Sequence, residues 1–317
     1  KNRGRCADDV LSGSWDKERA EIPAEQMEAF WKGLFERESP TDSRDPGMSR
    51  ESQWDLLRPF GTEELEASLR GMKGTSSPGP DGIRVTDLKA VPVEQIASRF
   101  NLWLLAGAIP TPLLEGATTL IPKVPGTRDP AQHRPITVGS VVSRLYHRVL
   151  ASRLDNLCPA GPEQRAFRTG DGIAQNVEIL KGIMRRATKD KKPRPLYYAF
   201  LDVRKAFDSV GHSSMILAAR RAGAPAPLLR YIRGLYENSS TRLKVGGSGS
   251  GTIRVTRGVR QGDPLSCWIF NSVIQWGLDS LDPHIGFALA ESIVSALAFA
   301  DDVVLIASTA AGLQAQI

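Results

Sequence analysis

Cysteine is scarce: three in 317 residues, Cys6, Cys158 and Cys267, widely separated and with no Cys-x-x-Cys pair. An odd, scattered set excludes a disulfide framework, and the missing pair argues against a zinc knuckle. These thiols are expected to be reduced and partly buried. Also lacking is any run near the roughly 18 uninterrupted apolar residues that a membrane-spanning helix requires, and the first residues show no basic-then-apolar signal sequence. The expectation is a soluble, intracellular protein without membrane partners. No internal repeat is found. What is present is 41% hydrophobic residues, enough for a core in one large or two smaller domains, which excludes wholesale disorder.

The net charge of +6 is unevenly spread: residues 1–75 carry 12 basic and 16 acidic side chains, leaving 29 and 19 for the remainder. The basic part is the candidate polyanion binder. Its densest run lies between Lys181 and Arg194, where phosphates would be attracted and counterions released. A solvated loop is the plainer reading, and charge alone does not decide between them.

Met27, Phe30, Trp31, Leu34 and Phe35 recur at three-to-four-residue intervals, so residues 23–36 are expected to form an amphipathic helix. Residues 38–53 are polar, with two prolines and a glycine, which predicts a surface loop or linker. A second helix is expected from Thr62, with a capping-box-like Thr-Glu-Glu-Leu, to about Met72. Apolar, β-branched and aromatic runs at 197–203, at 252–255 and on both sides of Asp301-Asp302 read as strands. Helical stretches around 141–155, 172–187, 212–220, 225–237 and 264–281 alternate with them. The mixture predicts an α+β fold with helices on one face of a small antiparallel sheet.

Asp301 and Asp302 sit between two apolar arms, the pattern of a hairpin tip. Aspartate also favours turns without doing chemistry, and Ala7-Asp8-Asp9 repeats the tripeptide with no such arms. A second acid, Asp202, ends the run Tyr-Tyr-Ala-Phe-Leu just before a helical segment. If the two strands share a sheet, Asp202 and Asp301 converge, and unpaired like charges there are costly. Oxygen ligands with no His or Cys beside them suit Mg²⁺, and two such ions can drive in-line phosphoryl transfer.

Six ordered strings extend this reading. Phe200-Leu-Asp-Val-Arg-Lys-Ala-Phe-Asp208, Arg257-Gly-Val-Arg-Gln-Gly-Asp-Pro-Leu-Ser266 and Phe299-Ala-Asp-Asp302 follow Ser76-Ser-Pro-Gly-Pro-Asp-Gly-Ile83, Leu120-Ile-Pro-Lys-Val-Pro-Gly126 and His133-Arg-Pro-Ile136. Together, over about residues 62–312, they resemble reverse transcriptases of non-LTR retrotransposons, in particular those inserting into ribosomal DNA. The resemblance implies polymerase fingers and palm: an extension at 1–61, fingers with part of the palm at 62–195, and palm at 196–317. It implies RNA-directed DNA synthesis, with an RNA template, a DNA primer or nicked target and deoxynucleoside triphosphates as partners, and a nuclear site of action after cytoplasmic synthesis. Two Mg²⁺ ions, or Mn²⁺ in their place, would be held by Asp202, Asp301 and the Val203 carbonyl, with Asp302 a less direct acidic partner.

By the same resemblance Lys123 and Arg134 would reach the triphosphate, and the Lys205 and Ala206 N–H groups would hold phosphate oxygens. Phe207 matches the gate that rejects a ribose by its 2′-hydroxyl; packing under the sheet is its other reading. Gln261 would lie beside the new base pair, and Gly258 and Gly262 would let backbone approach template or nucleotide. Arg257, Arg260, Arg165 and Arg168 are template-contact candidates. A group II intron-type maturase, a noncatalytic RNA-binding scaffold and an RNA-dependent RNA polymerase remain alternatives; Phe207 argues against the last. The chain opens without Met and stops soon after the acidic hairpin. The expectation is a piece of a larger polyprotein, without thumb or nuclease, extending primers poorly by itself.

Overall fold

In a computed structural model, residues 22–189, 193–245, 248–249 and 251–317 are described. Cys6, the Ala7-Asp8-Asp9 tripeptide and the tip of the basic run at 190–192 lie outside them. The first described helix, α1 (Ala24–Phe35), buries Met27, Trp31 and Phe35 as the spacing predicts. Residues 38–53 do not simply link. Asp42 N donates to Ser213 Oγ at 2.8 Å, and the Arg44 guanidinium lies 4.5 Å over the Trp276 ring. Helices α2 (Thr62–Arg70), α3 (Val85–Lys89) and α4 (Val93–Ala106) follow. The cap of α2 is Gly61, not Thr62: Glu64 Oε1 reaches back to accept Gly61 N–H at 3.0 Å.

A hairpin of β1 (Glu115–Pro122) and β2 (His133–Val138) leads to α5 (Val141–Leu157), capped by Ser140, and to α6 (Gly172–Lys189). Most of the basic run is therefore the last turns of a helix, with Ile183 and Ala187 buried. Next come β3 (Tyr197–Leu201), the single-turn α7 (Ala206–Ser209), α8 (His212–Arg221), α9 (Ala226–Glu237), β4 (Ser240–Val245), β5 (Ser248–Gly249) and β6 (Ile253–Arg254). The long α10 (Pro264–Leu278) starts on a proline and is capped by the Asp263 carboxylate, which accepts Leu265 N–H at 2.9 Å. The chain closes with β7 (Phe287–Leu289), β8 (Ser292–Val294), β9 (Ala296–Phe299), β10 (Asp302–Ala307) and α11 (Ala310–Gln316).

The α+β expectation holds, but the strands divide among separate sheets. The order β2-β1-β4-β5, with β6 on β4, includes a parallel β1–β4 pair; β3-β10-β9 is wholly antiparallel, and β7-β8 stands apart. In the first sheet the Thr118 hydroxyl lies 2.7 Å from those of both Thr137 and Thr241, tying three strands together. Helix α1 covers that sheet through Trp31, Leu120, Leu243 and Ile253.

In the second sheet β10 reads Asp-Val-Val-Leu-Ile-Ala, apolar almost throughout because both of its faces are covered. Val303 and Leu305 pack with Ile274 and Leu278 of α10; Val304 and Ile306 pack with Ile183 of α6 and Phe287. Helices therefore flank both faces, where one was expected. No described helix is long and apolar enough to cross a membrane.

Candidate nucleotidyl-transfer site

Antiparallel pairing of β3 with β10 sets Leu201 against Val303, so the next residues outward, Asp202 and Asp302, end the two strands side by side. Asp301 lies one residue away in the two-residue turn between Phe299 and Asp302. Its carboxyl is pushed above its ordinary pKa, chiefly by burial and then by the charges of Asp302 and Asp202, while Lys123 opposes the shift. The three acids therefore share one electrostatic environment, in which the charge of Lys123 from the β1–β2 hairpin is also felt. Asp202, Val203 and Asp302 are exposed, and Asp301 is half-buried.

Among the described residues no group of three or more Asp, Glu, His or Cys side chains could by itself hold a metal ion. The three aspartates lie on an open edge made of two strand ends and a turn. An all-oxygen, solvent-exposed edge fits Mg²⁺, which retains waters and draws further ligands from substrate phosphates.

Lys123 follows β1, its N–H bonded to Gln132 O at 2.7 Å, and its charge is felt at Asp301, Lys205 and Asp208. Arg134 is exposed on β2, paired across the hairpin with Ile121. Lys205 has φ +51° and heads a helix of one turn. So short a helix has little dipole, which removes the helix-terminus argument for phosphate binding by the Lys205 and Ala206 N–H groups. The Lys205 ammonium lies 4.6 Å and 4.5 Å over the rings of Phe30 and Trp31, and burial lowers its pKa. Phe207 is half-buried, stacked on Phe270 with centroids 4.1 Å apart and edge-on to Phe167. Its ring is braced from below and keeps an open side.

Gln261 Nε2 donates to Asp208 Oδ1 at 2.9 Å, linking the Gly-rich loop to α7. Asp208 is buried, and burial raises its pKa to about 6 against the bond from Gln261. Gly258 (φ +83°) and Gly262 (φ +112°) permit close approach, but to the chain's own backbone. An added Cβ would lie 2.9 Å from Asp208 Cα and 2.8 Å from Thr137 O, respectively.

The template-contact candidates fare worse. Arg260 is only 8% exposed, and its guanidinium donates to Ser239 Oγ and to Leu114 O. It is a buried structural cation and is withdrawn as a phosphate contact. Arg257 is half-buried and donates to Ser209 O at 2.9 Å. Arg165 bonds Asn176 Oδ1 at 3.0 Å and Glu163 O; Arg168, although exposed, donates to Gly161 O and Gln164 O, both at 3.2 Å. Both arginines brace their own loop.

Three features escaped the sequence reading. Asp208 lies inside one of the quoted strings, at the end of Ala-Phe-Asp, which was its available signal. A buried relay joins His147 Nδ1 to Asp263 at 2.6 Å and His147 Nε2 to the Tyr231 hydroxyl at 2.6 Å, clamping the start of α10 to α5 and α9. Gln164, fully buried, contacts the turn before Asp301.

Residues 121–317 match the family described as reverse transcriptase (RNA-dependent DNA polymerase). The whole chain is similar, at 38% identity, to 30% of the Retrovirus-related Pol polyprotein from type-1 retrotransposable element R2 of Nasonia vitripennis. At 35% identity, 99% of it is similar to 29% of the corresponding polyprotein from type-2 retrotransposable element R2DM of Drosophila melanogaster. The chain thus spans about 30% of the length of these relatives. A solved apo telomerase of Candida tropicalis, truncated from the C-terminal domain, aligns with a TM-score of 0.45 and 14% identity over 64% of this chain and 45% of that one.

Proposed function

The chain belongs to the reverse transcriptase (RNA-dependent DNA polymerase) family, and from that premise we propose that it forms the nucleotidyl-transfer core of a polymerase copying the RNA of a non-LTR retrotransposon into DNA. The observation carrying this reading is the β3–β10 register, which brings Asp202 alongside the Asp301-Asp302 turn, where the charge of Lys123 is felt. Asp202, Asp301 and the Val203 carbonyl would hold two Mg²⁺ ions, replaceable by Mn²⁺, with Asp302 as an outer acidic neighbour. Such ions, when bound, activate the attacking hydroxyl and balance the charge on the leaving pyrophosphate.

The protein's own groups do the positioning. Lys123, a compact ammonium, and Arg134, a guanidinium fork, bind triphosphate oxygens from the β1–β2 hairpin. Phe207 stands against the sugar and excludes a 2′-hydroxyl, and Gln261, oriented by Asp208, supports the nascent base pair. The template is RNA and the primer a DNA 3′-hydroxyl, supplied by a nicked chromosomal target in the nucleus. The names of the R2 relatives, Pol polyproteins of retrotransposable elements, support an assignment to this group. Thumb and nuclease functions are assigned to a longer polyprotein.

Primer extension on an RNA template by the full-length enzyme tests the reading. Asp301→Ala is expected to reduce incorporation on the order of 10³-fold by removing several kcal/mol of charge stabilisation. Synthesis by the variant at the wild-type rate defeats it.

A further inference from the structure

The turn that carries Asp301 begins at Ala300, whose φ of +56° lies in the left-handed region that L-residues avoid. Ala300 is buried, at 6% exposure, so its backbone N–H and C=O both need partners. One side chain supplies both. Ala300 N donates to Gln164 Oε1 at 2.8 Å, and Gln164 Nε2 donates to Ala300 O at 3.0 Å. The same Oε1 accepts Ala166 N–H at 3.1 Å.

The segment bearing Gln164 is itself held against the hairpin. Gln164 makes a parallel bridge with Ala298, through Ala298 N to Glu163 O at 2.8 Å and Arg165 N to Ala298 O at 3.1 Å. Asn176 of α6 donates to Ala298 O at 3.0 Å, and Asn271 of α10 to Ala166 O at 2.9 Å. The amide therefore projects from a braced segment onto the single residue whose conformation aims Asp301.

We propose that Gln164 is a positioning residue for nucleotidyl transfer: its amide holds Ala300 in the left-handed conformation and so fixes the direction in which Asp301 meets Asp202. This rests on the polymerase reading above. Glutamine suits the task because it donates and accepts at once, as a neighbouring strand would. Methionine fills the same volume but takes the amide partner from three buried backbone groups, the Ala300 N–H and C=O and the Ala166 N–H, and the turn relaxes to satisfy them. Glutamate keeps the acceptor and loses the donor to Ala300 O.

The test compares the wild-type full-length enzyme with Gln164→Met, Gln164→Glu, Asp301→Ala, Ala300→Gly and the Gln164→Met/Ala300→Gly pair in single-nucleotide incorporation. Gln164→Met is expected to lower kcat on the order of 10²-fold, the scale of a misplaced reacting group. KM for the deoxynucleotide and affinity for template-primer change little, and more divalent metal is needed for half-maximal rate. Ala300→Gly in the Gln164→Met background recovers part of kcat, because glycine adopts the turn conformation without the clamp. A wild-type kcat in the folded Gln164→Met protein, or a fall in kcat matched by lost template binding and not relieved by Ala300→Gly, overturns the proposal. Should Gln164→Met not fold, Gln164→Glu decides: an intermediate loss of kcat with template binding kept supports the clamp, and wild-type kcat refutes it. Activity surviving in Asp301→Ala would instead defeat the polymerase reading, and the clamp with it.

Discussion

Replacing Arg260 by methionine separates a structural cation from a nucleic-acid contact. In the fold the guanidinium donates to Leu114 O at the start of β1 and to Ser239 Oγ before β4, at 8% exposure. Hydrogen bonds from a charged donor are worth about 1.5–3 kcal/mol each, so losing both acceptors' partner costs about 3–6 kcal/mol. Against this, deleting a desolvated charge returns part of the cost, and methionine retains much of the stem's packing. The net expectation is destabilisation by about 2–4 kcal/mol. Urea unfolding of wild type, Arg260→Met and Arg260→Lys measures it, and lysine is expected to restore little because a point charge cannot span both acceptors. Among the folded molecules, the dependence of RNA affinity on salt should be unchanged. Stability equal to wild type, with the salt slope reduced by about one, would mean that Arg260 touches phosphate after all.

Two further outcomes follow from the site. Asp208 is held at a pKa of about 6, above the ordinary 3.8. A raised carboxyl favours the folded state below the unfolded pKa and loses that advantage as pH rises through the folded one. Stability should therefore fall between about pH 4 and 6.5, by up to about 3 kcal/mol from this group. Asp208→Asn should flatten that slope in denaturation midpoints taken across the range; parallel curves for variant and wild type would refute it. Phe207→Ala should narrow the preference for deoxynucleotides on the order of tenfold or more, read as the ratio of kcat/KM for dNTP and rNTP. An unchanged ratio would return Phe207 to a packing role.

Local pattern revealed much of this architecture, and non-local contact decided the rest. The strand ending at Asp202 and the hairpin around Asp301 are legible because apolar runs stop abruptly at acids. Their adjacency depends on β3 pairing with β10 across a hundred residues, and it became an expectation only through the shared sheet. Strands β1 and β2 were not anticipated: Gly116, Pro122 and Pro135 interrupt their pattern, and proline argues against a strand interior. Arg260 reads as a loop cation because its neighbours are glycine, valine and glutamine. Only the convergence of the β1 start and the residue before β4 buries it. The glycines of that loop read as points of approach to template or nucleotide, whereas the groups found close to them are the backbone of Asp208 and Thr137; a single string cannot tell a ligand from the chain itself. Gln164 stands in the sequence only as the first residue of the string Gln164-Arg165-Ala-Phe-Arg168, and its role is recognisable only once the turn it serves is seen.

The central claim is that carboxylates from two distant segments act as one cation site. Substituting Fe²⁺ for the divalent ion in the full-length enzyme with nucleotide bound, and mapping where the resulting hydroxyl radicals cut the polypeptide, tests this directly. The account predicts cleavage near both position 202 and position 301, lost at both in Asp202→Asn. Cleavage near only one of them, or a pattern unaltered by that substitution, would contradict it.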